Sequence, residues 1–247
     1  IRRDPADPRS ASFVAQGRVR LLGGFAGNES DESERDPQAH HTVLSGDLLG
    51  DDAVPTDDPE EHRQDNAYTI LQGALGVDLT LDGIELTGGS NDLGSSAAAA
   101  LDLPENATLT CRNSVIHDNH GQGRSSAVRV VGSSTWLQCT FERNQTSGIS
   151  AGSAHGASSL FSEGPVVIER SVFRDNTTSG AAGVGYLREG PITVRDSEFV
   201  DNHAEGPGGA LWIEGAEVRI ERSEFTANHG DSGGALLLVG SAATVLR

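Results

Sequence analysis

The chain carries three sets of side chains able to bind an ion or move a proton. His203 and His229 each follow an Asn at the same point of a recurring segment, and His120 sits at that point further up the chain. Imidazoles brought side by side can ligate a metal or act as acid and base. Asp175 with Asp201, and Glu198 with Glu224, recur in the same way; paired carboxylates can share a proton or hold Ca²⁺. A solvated polar corner or an acidic face beside Arg is the plainer reading of these pairs. The densest set lies in residues 46–65, GDLLGDDAVPTDDPEEHRQD, with Asp47, Asp51, Asp52, Asp57 and Asp58 ahead of Glu60 and Glu61. Ca²⁺ takes about six to eight oxygens, which this density could supply, although the spacing is not that of an EF-hand. Those five Asp are the expected metal ligands, and Ca²⁺ is the one cofactor the sequence suggests.

A second group bears on ligand binding. Trp212 lies between Leu211 and Ile213, so strand alternation turns it outward, with Leu237 beside it one repeat later. An exposed aromatic on a sheet face can stack on a sugar ring or pack against a partner. With Arg129 added, Trp212 and Leu237 are the ligand-binding candidates. No catalytic residue is assigned. The string 230-GDSGG-234 matches the nucleophile motif of trypsin-like proteases, but its Gly-Gly falls in the slot that Gly208-Gly209 fills one repeat earlier. That makes it turn chemistry; such proteases also need a double barrel and a His/Asp context not evident here.

Composition narrows the classes further. The net charge is −18, and every one of the 18 basic residues is Arg. That acidity argues against nucleic acid or an anionic membrane surface as partner. The absence of Lys excludes a Lys base, a Schiff base and a phosphate-gripping P-loop Lys. Cys111 and Cys139 are too few for a disulfide framework. No segment approaches the ~20 apolar residues of a membrane span, so no direct insertion is expected. The chain starts at Ile1 and has no Met, so a mature product or a fragment is expected, and the lack of a visible signal peptide carries no weight.

The elements that position these groups are read from the repeat. The segments 109-LTCRNSVIHDN-119, 134-STWLQCTFERN-144, 166-VVIERSVFRDN-176, 192-ITVRDSEFVDN-202 and 218-VRIERSEFTAN-228 share one pattern. Their large apolar anchors are Ile116, Phe141, Phe173, Phe199 and Phe225, at spacings of 25, 32, 26 and 26. The longer spacing places an insertion near 145–164. Each anchor is followed by Asn three residues on and preceded two residues earlier by Ser114, Cys139, Ser171, Ser197 or Ser223. Leu86 with Gly89 reads as an earlier, degenerate copy.

A unit of about 25 residues of strand and turn cannot bury its apolar face alone, and stacking copies into a parallel β-helix does so. Val218, Ile220, Ser223, Phe225, Leu236 and Leu238 then point inward, Trp136 is core, and the Asn form a corner ladder. In that register Glu169, Arg195 and Glu221 alternate in sign along the stack, as do Arg170, Asp196 and Arg222. Opposite charges on neighbouring strands support the pairing.

The FxxN units 141-FERN-144, 173-FRDN-176, 199-FVDN-202 and 225-FTAN-228, with 208-GGAL-211 and 233-GGAL-236, resemble the repeats of polymorphic outer-membrane proteins. More broadly they resemble right-handed parallel β-helix proteins of bacterial surfaces. The lead-in 19-VRLLGGFAGNE-29, 35-RDP-37 and 43-VLSGD-47 is similar to one in large secreted proteins of that kind. The repeat resemblance covers roughly 84–240 and the lead-in roughly 17–50. It implies secretion and surface display, often as an autotransporter passenger or adhesin. The chain departs from the pattern at 183-GVGY-186 and near 159-SLF-161.

The expected fold is therefore all-β, a right-handed single-stranded parallel β-helix. Residues 1–76 form an N-terminal lead-in with the acidic loop, and 77–247 form regular rungs that stop in mid-rung. Continuation beyond Arg247, or cover by another chain, is expected. The expected function is an extracellular, non-enzymatic module that binds a surface glycan or protein partner. The rivals are a polysaccharide lyase or hydrolase, in which Arg129, Arg174 or Arg188 could accept a proton, and a structural element that self-associates end to end. The Gly-His-Gly and Arg-Ile-Lys stretches of polygalacturonase-like enzymes are absent.

Overall fold

The computed structural model describes residues 4–52, 62–94, 97–122, 127–147 and 156–246. The chain is an all-β solenoid of about six turns, with successive turns about 26 residues apart. The strands form three sheets of 14, seven and five strands, and neighbours pair in parallel throughout. One continuous apolar core runs inside the coil from Ala15 to Ile220.

The seven-stranded sheet carries the anchors. Leu44, Leu86, Ile116, Phe141, Phe173, Phe199 and Phe225 are in register on consecutive strands. The Phe rings stack at 4.8, 4.8 and 4.5 Å, which is the distance between paired strands. The longer spacing between Phe141 and Phe173 leaves this register intact, because the extra residues fall between the strands Gln145–Ser147 and Leu160–Glu163.

Each repeat turns sharply before and after this sheet. Asn113, Gln138, Arg170, Asp196 and Arg222 take φ of 44 to 54°, and Asp118, Arg143, Asp175, Asp201 and Ala227 take φ of 51 to 56°. A ladder side chain follows each corner. After the first, Ser171 Oγ donates to Glu169 O at 3.0 Å and accepts from Cys139 N of the preceding turn at 3.1 Å. Ser197 and Ser223 repeat the arrangement. After the second corner comes the Asn ladder. Asn119, Asn144, Asn176 and Asn202 are fully buried, and the amide of each donates to the Oδ1 of the next. Gly89 heads the ladder by donating its N–H to Asn119 Oδ1 at 3.0 Å. Backbone polar groups that the corners would leave unpaired are thus bonded by side chains.

The charge columns fall as the register requires. Arg195 Nε lies 3.0 Å from Glu221, and Arg222 reaches Asp196 at 2.6 Å. Trp136 is inward and fully buried. Cys111 and Cys139 are free and buried, with Cys139 in the Ser slot.

The run 77–89 breaks into the strands Asp78–Asp82 and Ile84–Thr87, because Gly83 makes a corner at φ +72°. Of 66–73 only Leu71–Gly73 is strand, since Asn66 turns inward and donates to Gly88 O at 2.8 Å. A short further side also follows the Asn ladder. It comprises Ser90–Asn91, His120–Gln122, Gln145–Ser147, Thr177–Thr178 and His203–Ala204.

Candidate functional site

The ligand-binding candidates meet on one outward row of the largest sheet. Asp102, Arg129, Phe161, Tyr186, Trp212 and Leu237 are successive register partners. Alternation sends their strand neighbours Leu160, Leu187, Leu211 and Ile213 inward and this row outward. Arg129 is not free: its Nη1 donates to Asp102 at 2.8 Å, and the pair is mostly shielded.

The middle of the row is a second small core outside the coil. Phe161 and Tyr186 are 1 % exposed and pack with Ala157 and Ala182. Trp212 is only partly buried, and its ring meets Tyr186 edge-on at 5.6 Å. The indole Nε1 is shielded and makes no hydrogen bond among the described residues. Tyr186 donates to Glu214, and Arg188 donates to Glu163 with its guanidinium 6.0 Å from the Phe161 ring. Burial, reinforced by the hydrogen bond to Glu214, pushes the Tyr186 phenol up to about 12. The accessible apolar part of the row is therefore Trp212 and Leu237, backed by the buried Phe161 and Tyr186 and edged by ion pairs. Sequence reasoning missed Phe161 and Tyr186. Both occupy the outward slot of Trp212, but they lie where the Gly-Gly-Ala pattern is blurred.

The acidic loop is partly described. Carboxylate oxygens of Asp47, Asp51 and Asp65 lie within 4.8 Å of one another. Asp52 turns away and accepts from Asn66 Nδ2 at 2.5 Å. Burial, aided by Asp47 and Asp65, pushes its carboxyl up despite that hydrogen bond. Asp57 and Asp58 lie outside the described residues. Asp65 was not among the expected ligands, and its distance from Asp47 along the chain hides the approach. Both carboxylates already accept backbone N–H groups, Asp47 from Gly50, Asp51 and Asp52 and Asp65 from Leu48 and Leu49.

The recurrent His and acids are placed by the same coil. His203 and His229 stack with ring centroids 4.9 Å apart. Glu198 and Glu224 are register partners, and Asp175 and Asp201 occupy equivalent corners. His120 is buried, with Nε2 3.0 Å from Ser147 Oγ, and burial pulls its imidazole down to about 4. The Gly-Gly of GDSGG is a turn: Gly233 at φ +65° repeats Gly208 at φ +76°. A Cβ on Gly209 would lie 1.8 Å from Gly234 O, so close stacking of the turns excludes a side chain there.

A flank that the sequence did not single out holds a wide cleft. A cleft of about 1030 Å³ lies between residues 32–38 and the seven-stranded sheet, lined by Arg20, Glu32, Arg35, His41, Glu85 and Arg112 among others. Arg35 clamps the segment down, donating to Asp82 Oδ2 at 2.5 Å and to Gly23 O at 3.1 Å. From the cleft edge an ionic chain climbs the coil. His41 Nδ1 lies 3.2 Å from Glu85 Oε2, and His117 Nε2 lies 2.8 Å from Glu85 Oε1. His117 Nδ1 lies 2.5 Å from Asp118 Oδ2. Arg143 then joins Asp118 to Glu142, and Arg174 reaches Glu142 at 2.6 Å. Burial alone would lower the His117 imidazole, but its bonds to Asp118 and Glu85 outweigh that and raise it. Burial also opposes ionisation of Asp118, yet His117 and Arg143 hold its carboxyl down at about 2.

The parallel coil has its counterpart in a known family. The sequence model described as a right handed beta helix region matches residues 73–225, so the chain belongs to the right-handed β-helix family. No curated protein matches the chain, and no solved structure does. Among the described residues no helix is long and apolar enough to cross a membrane.

Proposed function

We propose that the chain is an extracellular, surface-displayed module that binds a glycan or a protein partner through its outward aromatic row. The observation that carries this reading is the partly exposed pair Trp212 and Leu237, backed in the same row by the buried Tyr186 and Phe161 and flanked by the Arg188–Glu163 and Arg129–Asp102 pairs. The partly exposed Trp212 ring suits the face of a sugar or an apolar side chain, and flanking ion pairs supply directed hydrogen bonds. A rigid coil holds these groups in line without an ordering cost on binding.

The test is binding to a panel of surface polysaccharides and matrix proteins, with Trp212→Ala beside the parent. The variant should bind about 10-fold more weakly, the lower end of what one stacked ring contributes. Equal affinity with an unchanged fold removes this face from the site. New unsaturated ends in uronate polymers would replace the reading with a lyase, for which the cleft beside Arg20 and Arg112 is the place to look. Light scattering that rises with concentration would favour end-to-end self-association. A Ca²⁺ ion at Asp47, Asp51 and Asp65 belongs to the same proposal, supported by the approach of three carboxylates. Calorimetry with Asp65→Asn checks it, and Ca²⁺ heats unchanged by that substitution count against it.

A further inference from the structure

The chain has two cysteines, and the coil brings them together. Cys111 lies in the strand Leu101–Arg112, and Cys139 follows the corner after the strand Val128–Leu137 on the next turn. Both belong to the core, 0 % and 1 % exposed. We infer that Cys111 and Cys139 are a modification site, closing into one disulfide that staples two consecutive turns when the chain folds in the presence of a thiol–disulfide oxidant.

The register sets the pair up. Cys111 is the register partner of Trp136. Ser114 stacks against Cys139, since Val115 pairs with Thr140 and the Thr140 N–H donates to Ser114 O at 3.0 Å. The four residues form a block in which the cysteines hold one diagonal. The Cys111 thiol is within hydrogen-bond reach of both Ser114 and Cys139, and Cys139 Sγ lies 3.5 Å from Leu137 O.

Neither cysteine belongs to the repeat. In register with Cys111 the other turns carry Leu81, Trp136, Ile168, Val194 and Ile220. The slot of Cys139 holds Ser on the neighbouring turns, where the hydroxyl accepts an N–H from the turn before: Ile84 N donates to Ser114 Oγ and Cys139 N to Ser171 Oγ, both at 3.1 Å. A thiol is a weaker acceptor. Cys139 therefore weakens the ladder at the turn where a second thiol is within reach, and two departures from the repeat coincide at adjoining positions.

A small disulfide such as oxidised glutathione balances the step. One cysteine thiolate attacks a sulfur of the oxidant, forms a mixed disulfide and releases one glutathione thiolate. The second cysteine attacks the protein sulfur of that mixed disulfide, forms the Cys111–Cys139 bond and releases the second glutathione. Two protein thiols are oxidised, one glutathione disulfide is reduced, and the two protons go to the released thiolates. Burial pushes the Cys111 thiol well up, and the contact with Cys139 adds to that. The attacking thiolate is therefore scarce once the coil has closed, and the bond forms while the turns stack. Joining consecutive turns restricts the unfolded chain and so favours the folded one.

The test is refolding of the reduced, unfolded full chain in a glutathione redox pair, then acid quench, alkylation in denaturant and mass spectrometry. The expected product is a monomer lighter by two hydrogens, with no alkylated thiol and one cross-linked peptide pair that holds Cys111 and Cys139. Its thermal midpoint should exceed that of the reduced chain by about 5–10 °C, and dithiothreitol should open the bond only in denaturant. Cys139→Ser restores the repeat residue, so it should fold and leave Cys111 alkylated or capped by glutathione. The inference fails if both thiols stay free, if glutathione-capped or chain-to-chain species are the end product, or if closing the bond does not raise the midpoint. Closure in the refolding test is independent of where the protein resides, whereas closure in the cell rests on the extracellular reading. Chain taken from its own cell with both thiols free, yet closing in the refolding test, overturns that location and leaves the disulfide standing.

Discussion

Asn176 Oδ1 accepts two hydrogen bonds from Asn144 on the preceding turn, one from its backbone N–H and one from its side-chain amide, both at 3.1 Å. Asn176 Nδ2 in turn donates to Phe141 O at 3.0 Å and to Asn202 Oδ1 at 2.9 Å. One buried side chain therefore ties three turns together. Asn176→Ala leaves two donors of Asn144 without an acceptor in a site that water does not reach. The expected loss is about 2–4 kcal/mol of unfolding free energy, read by urea denaturation. Asn228 is partly exposed and ends the described ladder, so Asn228→Ala should cost visibly less. Equal losses at both positions would mean that burial does not set the cost.

The corners before the ladder hold L-residues in a left-handed conformation. Ala227 sits at φ 55°, is exposed, and has no side chain to bond in compensation. Ala227→Gly should therefore raise stability by about 1 kcal/mol, seen as a higher thermal midpoint. The same change at Asp118 should lower it, because there the side chain carries two Arg143 contacts and one from His117.

Two histidines should shape stability against pH with opposite signs. The imidazole of His117 is raised above its ordinary value of 6.5. Its contribution is full below that value and is lost as pH rises through the folded-state pKa. His120 is depressed from 6.5 to about 4 by burial. Its contribution is present above 6.5 and is lost as pH falls toward 4, a change of roughly 3 kcal/mol. Urea midpoints measured across pH should show His117→Asn flattening the alkaline side and His120→Gln flattening the acid side. Exchange of these two effects would overturn the assignment.

Arg35 and Asp82 fasten the segment that walls the cleft. Their side chains are 17 % and 9 % exposed, and Asn113 Nδ2 also donates to Asp82 at 2.9 Å. Arg35→Ala leaves a shielded carboxylate short of its cation, a change worth about 3 kcal/mol for buried pairs. Amide exchange should speed up in residues 24–41 while the Asn ladder stays protected. Uniform acceleration over the whole coil would show that the segment is not a separate unit.

The sequence by itself determined the coil. Phe141, Phe173, Phe199 and Phe225 recur with Asn three residues on, and only a parallel stack buries those side chains and pairs those amides at once. The inward and outward slots, the alternating charge columns and the turn role of GDSGG follow from the same period. Tertiary structure decided which outward groups beyond those columns become neighbours. Phe161 and Tyr186 join Trp212 because strands remote in sequence share a register. Asp65 meets Asp47 only after the chain returns from its excursion. Glu85 gathers His41 and His117 from turns on either side, across unequal intervals that no single period predicts. The physical reason is that burial repeats with the turn and so marks the sequence periodically. Outward side chains are free of that constraint, and their meetings depend on loop length and register.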